Sequence, residues 1–188
     1  MHSKVGIDEQ IDRFRREGAA AAAAHAAVNQ AFRTKVRDRD PARYTQLLGE
    51  FRAATGQAFP HDVPEMKRLI DAGHARALDT AIAFLVADPW FFRSGYLKAD
   101  LIRAVKRANL GQLQRVLLQQ VVGGGVRQRD RQEFRHYCRL ACQLLSSDFL
   151  TQIESLRKDA DPDIRRSARW VEDALYPGPL KGHGKSKI

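Results

Sequence analysis

An all-α domain of stacked antiparallel helical pairs is the fold this sequence predicts, and three observations predict it. Apolar residues recur at helical spacing along the chain, and no sustained alternation argues for a strand. Asp-Pro steps at Asp40-Pro41 and Asp88-Pro89 stop one segment and start the next, because Asp caps a helix and Pro suits a first turn whose N–H has no partner. A short arginine pattern recurs at an interval of 30 to 32 residues. A closed helical bundle with short loops is the alternative that would show a similar spacing.

The helices are predicted in order as follows. Residues 7–36 read as one long helix through the alanine run Ala19 to Ala24, with Gly18 its weak point. A second runs from Pro41 to about Thr55 and ends at Gly56, followed by a loop from Gln57 to Pro64. Met66, Leu69, Ile70, Ala77, Ala81, Ile82 and Leu85 mark one face over 63–87, with a bend or split at Gly73 and His74. Further helices are predicted at about 97–108, 110–122, 131–145, 148–159 and 162–175, with Gly123-Gly124-Gly125 as a flexible connection. Three segments result: N-terminal helices over 1–62 as a capping layer or extension, a helical repeat domain over 63–176, and a disordered basic tail over 177–188.

Length and composition set the function classes. A chain of 188 residues fits one compact domain, or one with an appended helix. At 44% hydrophobic and 29% charged, wholesale disorder and a membrane-embedded class are excluded. The longest uncharged stretch, Gly18 to Phe32, has 15 residues and is too short for a bilayer, so no membrane insertion is expected. Met1-His2-Ser3-Lys4 leads into mixed charges rather than an apolar run, so no signal peptide is expected. With two cysteines rather than a disulfide framework, a cytoplasmic location is expected.

The net charge is +10, and it is unevenly placed. Residues 93–139 hold 11 basic and three acidic side chains, whereas 1–92 and 140–188 each carry a net +1. Such a field favours a polyanion, although a solvated basic face would have the same composition.

The recurring pattern is Phe134-Arg135-His136-Tyr137-Cys138-Arg139-Leu140 against Ile164-Arg165-Arg166-Ser167-Ala168-Arg169-Trp170, with a fainter copy at Ile102 to Arg107. Residues 148–175, with Asp161, Pro162, Ile164, Arg165 and Ala168 at the turn and second helix, resemble a HEAT repeat; 93–145 resemble one more loosely. The resemblance implies a short α-solenoid whose second helices line a concave side. It also implies that Arg165 bonds to a turn Asp of an adjacent unit. The DNA alkylation-repair glycosylases share that architecture, but Trp90, Trp170 and Asp173 do not match their aromatic-plus-Asp constellation.

Arg103/Arg107, Arg135/Arg139 and Arg165/Arg169 are spaced i, i+4, so each pair shares a helix face. Stacked side by side they form a ladder that loop residues Arg127, Arg129 and Arg131 extend. The candidate binding residues are therefore Arg103, Arg107, Arg127, Arg129, Arg131, Arg135, Arg139 and Arg169, whose guanidinium groups suit phosphates or carboxylates. The expected function is a non-catalytic adaptor that binds an acidic protein partner; the alternative is a nucleic-acid-binding protein using the same arginines. No cofactor or metal is expected and a small-molecule substrate is not. Gly184-Lys185-Ser186 lacks the strand and helix of a phosphate loop. Cys138 and Cys142 sit one turn apart without further ligands at zinc spacing, and Cys138 reads as a buried apolar position. Phe134, Tyr137, Cys138, Ala141 and Leu145 form one packing stripe, Ile164, Ala168, Val171 and Leu175 another, and Trp170 falls on a packing position.

Overall fold

The computed structural model describes residues 4–128 and 133–176. Among them are ten helices and no strand: α1 (Lys4–Arg33), α2 (Val36–Arg39), α3 (Pro41–Ala58), α4 (Val63–Asp71), α5 (Ala75–Ala87), α6 (Ser94–Val105), α7 (Gln112–Val126), α8 (Phe134–Ala141), α9 (Ser147–Arg157) and α10 (Pro162–Leu175). The all-α expectation holds. The expected tail over 177–188 lies outside the described residues.

Local chemistry sets most of the boundaries. Asp40, Asp62 and Asp161 each cap a helix that has proline in its first turn, accepting hydrogen bonds from the Arg43, Glu65 and Asp163 N–H groups. Gly73, at φ 80°, ends α4 and separates it from α5, so the predicted 63–87 segment is split. Asp88 differs from its predicted role. It is the left-handed C-cap of α5, at φ 49°, and the next helix begins at Ser94.

Of the glycine expectations, one is met and one is corrected. α1 runs unbroken through Gly18, as expected of one long helix; a Cβ there would collide with the Pro89 ring, so the glycine allows a close crossing. The Gly123-Gly124-Gly125 segment lies inside α7 rather than in a loop, with Gln152 packed against Gly123 and the Tyr137 ring against Gly125.

α5 is the centre of the fold, with ten of its 13 residues buried. α1, α4, α6 and α7 all pack on it. Phe84 on α5 meets Phe14 of α1 edge-on at 5.2 Å and Phe59, just after α3, at 4.8 Å. The same core continues through Leu101, Ile102, Leu118, Tyr137, Leu140 and Phe149 to Val171. Ile7, Ile11 and Phe14 on one face of α1 belong to it, and a smaller cluster of Val28, Ala31 and Leu47 joins the far end of α1 to α3.

This packing overturns the HEAT-like solenoid. In a solenoid each unit touches only its neighbours. Here α1 lies across both α3 and α5, and α7 reaches α9 and α10 as well as α8, so the helices close around one core as a globular bundle. The 30-residue recurrence is the spacing of short helices and short loops in a bundle. The copies are not equivalent either: Leu140 is fully buried, whereas Trp170 is half exposed. Likewise Leu144, not Leu145, faces the core. No helix among the described residues is long and apolar enough to cross a membrane.

Candidate functional site

α6, α8 and α10 lie side by side, with α8 between the other two. α8 turns Tyr137, Cys138 and Ala141 inward, which leaves Arg135 and Arg139 in solvent, one turn apart. Along this row is a hollow of about 650 Å³, lined by Tyr96 and Arg103 from α6, Phe134, Arg135 and His136 from α8, and Trp170 from α10. The Trp170 ring is tilted against Phe134 at a centroid distance of 6.0 Å, and the Arg166 guanidinium lies 5.6 Å from its centre.

A second hollow of about 640 Å³ adjoins the first at Gly95 and Tyr96. Its walls are His25 and Asn29 of α1 and Trp90, Phe92 and Arg93 of the segment before α6. His25 stacks on Phe51 at 5.1 Å and meets Phe92 at 5.2 Å. Between them the hollows display four large rings to solvent: Trp90 is 70% exposed, Tyr96 56%, Phe92 50% and Trp170 50%.

A buried charge cluster holds the aromatic segment in place. The Lys98 side chain is 0% exposed, and its ammonium donates to Asp88 Oδ1 at 2.6 Å and lies 4.0 Å from Glu133 Oε1. Gln128 donates to the other Asp88 oxygen at 3.1 Å. Ser94 Oγ accepts from the Phe91 N–H at 3.2 Å. The segment carrying Trp90, Phe92 and Arg93 is thus tied to α6 and α8 at its base.

Three predicted arginines act on one point. Burial, then the positive charges of Arg103, Arg139 and Arg135, push the His136 pKa below its ordinary 6.5, while Asp100 opposes them. Arg103 pairs with Asp100 at 3.3 Å. Arg135, Arg139 and Arg169 form no ion pair with any of the described residues. Arg169 is exposed on α10 beside Trp170.

The remaining predicted residues sit elsewhere. Arg107 turns away to Asp71, giving it a two-pronged grip at 2.8 and 2.9 Å. Arg127 leans on the Gly123 carbonyl, and Arg129 and Arg131 lie outside the described residues. Arg165 donates to the Asp159 and Ala160 carbonyls at 2.8 Å rather than to a turn carboxylate, so its role is local to the α9–α10 turn. Among the described residues no group of three or more His, Cys, Asp or Glu side chains converges to hold a metal. Burial pushes the Cys138 thiol up to about 11.

Sequence reasoning misses the rings. Tyr96 and Phe92 belong to no pattern that singles them out, and Trp170 reads as a packing position; the signal present is Trp90-Phe91-Phe92-Arg93, an aromatic run at the threshold of the basic segment. No family model matches this chain, and comparison with curated proteins and with solved structures likewise finds no match.

Proposed function

We propose that this protein is a non-catalytic nucleic-acid-binding protein that holds phosphates with Arg103, Arg135, Arg139 and Arg169. The observation that carries the reading is the placement of Arg135, Arg139 and Arg169, which have no carboxylate partner among the described residues, and of Arg103, paired only with Asp100 on its own helix, near exposed aromatic rings that line a hollow. Charge alone would suit an acidic protein equally well. Exposed Trp and Tyr faces beside the guanidinium groups favour a polyanion that also carries flat rings, because bases stack on such faces while carboxylates gain little from them.

The test is a fluorescence-anisotropy titration of labelled oligonucleotides across a salt series, with polyglutamate as a competitor. The expected result is affinity that falls steeply with salt, with a log–log slope of about −0.7 to −0.9 for each phosphate neutralised. Absence of binding at low salt, or polyglutamate competing as well as an oligonucleotide of equal charge, would overturn the reading.

A further inference from the structure

We infer that the two adjoining hollows seat successive unpaired bases, making single-stranded nucleic acid the ligand class. This rests on the nucleic-acid reading above and adds to it which form of nucleic acid is bound. The first seat is formed by Tyr96 and Trp170, with Phe134 behind; the second is formed by Trp90 and Phe92. Tyr96 belongs to both hollows, so a strand following the surface passes from one ring set to the other without leaving the basic field.

Chemistry discriminates between single and double strands here. A duplex presents phosphates and groove edges and hides its base faces in the stack, so it would cover the arginines and leave the four rings wet. An unpaired strand offers both phosphates and ring faces, and stacking on aromatic side chains tolerates any base. Arg93, whose guanidinium lies 5.9 Å from the centre of the Tyr96 ring, and Arg103 and Arg135 in the first hollow's lining put positive charge at both seats, so the backbone is held where bases enter.

The protein supplies its own reporter, since Trp90 and Trp170 are its only two tryptophans and each lies in one hollow. The experiment titrates the full chain with an oligothymidylate and with a blunt duplex of equal phosphate number, reading tryptophan emission and anisotropy. The single strand is expected to quench emission and to bind at least about tenfold more tightly than the duplex. Trp170→Ala and Tyr96→Ala are each expected to weaken single-strand binding about fivefold or more and to leave duplex binding unchanged, with Trp170→Phe restoring most of the loss. Circular dichroism checks that each variant keeps its helicity. Equal or tighter duplex binding, unquenched emission on single-strand binding, or aromatic variants that weaken both forms equally would overturn this inference while leaving the nucleic-acid reading intact. Failure to bind either form overturns both.

Discussion

The Tyr137 ring occupies the space that a side chain at Gly125 would need: a Cβ built there lies 2.8 Å from Tyr137 Cδ2. Tyr137 is 1% exposed, so its ring has little room to give way. Gly125→Ala is therefore expected to destabilise the fold by about 1–3 kcal/mol through overpacking. At Gly124, one residue earlier on the same helix, a Cβ meets nothing within 4 Å, and Gly124→Ala is expected to stabilise by up to about 1 kcal/mol from helix propensity. Urea unfolding of the two variants checks the contrast, and equal effects would mean that α7 does not pack on α8 in this way.

The buried ammonium of Lys98 makes a second prediction. It lies against Asp88 and Glu133, and Glu133 is itself buried. Lys98→Met would leave two carboxylates close together with their shared cation gone, and a loss of about 3–5 kcal/mol is expected. Because this cluster anchors the segment carrying Trp90, tryptophan emission should change along with stability. The measurement is chemical denaturation together with the emission maximum of the folded variant.

How far the sequence reveals this arrangement differs between local and tertiary features. α10 spans Pro162–Leu175 as read from the chain, because the Asp161 cap and Pro162 act within one turn. For α7, propensity treats glycine as a breaker and so ends the helix before its three glycines. Packing against Gln152 and Tyr137 carries the helix through them instead, and that packing depends on residues far along the chain. The choice between solenoid and bundle turns on where α1 docks. That is set by long-range packing, of Ile7, Ile11 and Phe14 in the core and of Gly18 close to Pro89, which no periodicity encodes. For the site, Arg103, Arg135 and Arg139 are legible as charge. The rings are not, because an exposed Trp170 and a buried Leu140 are both simply large apolar residues in a pattern.

Histidine titration yields a third prediction. Burial and Arg13 lower the His61 pKa, as burial and the three arginines lower that of His136. Each group is more easily protonated in the unfolded chain than in the folded one. The stability this confers is complete above the unfolded pKa near 6.5 and is lost as pH falls from there through the folded pKa. The melting temperature is expected to drop as pH falls through the unfolded-state value and on through the lowered folded-state values, and His136→Gln should flatten part of that slope. Phosphate beside Arg103 and Arg135 would offset their charge and favour protonated His136. Oligonucleotide binding should then be accompanied by proton uptake in mildly acidic buffer, which calorimetry in buffers of different ionisation enthalpy would detect.

Arg107 and Arg135 separate structural from binding arginines. Arg107 is about half exposed and already satisfied by Asp71, an ion pair worth about 0–1 kcal/mol at the surface. Arg107→Gln is therefore expected to cost little stability and to leave the salt dependence of oligonucleotide binding almost unchanged. Arg135 and Arg139 have no carboxylate partner among the described residues, and Arg103 has only the half-exposed Asp100, one turn away on its own helix. Substituting each of these three by Gln should lower the magnitude of the log–log salt slope by up to about 1, without loss of helicity. A set of variants in which Arg107→Gln moves the slope as much as Arg135→Gln would show that binding follows total charge rather than this surface.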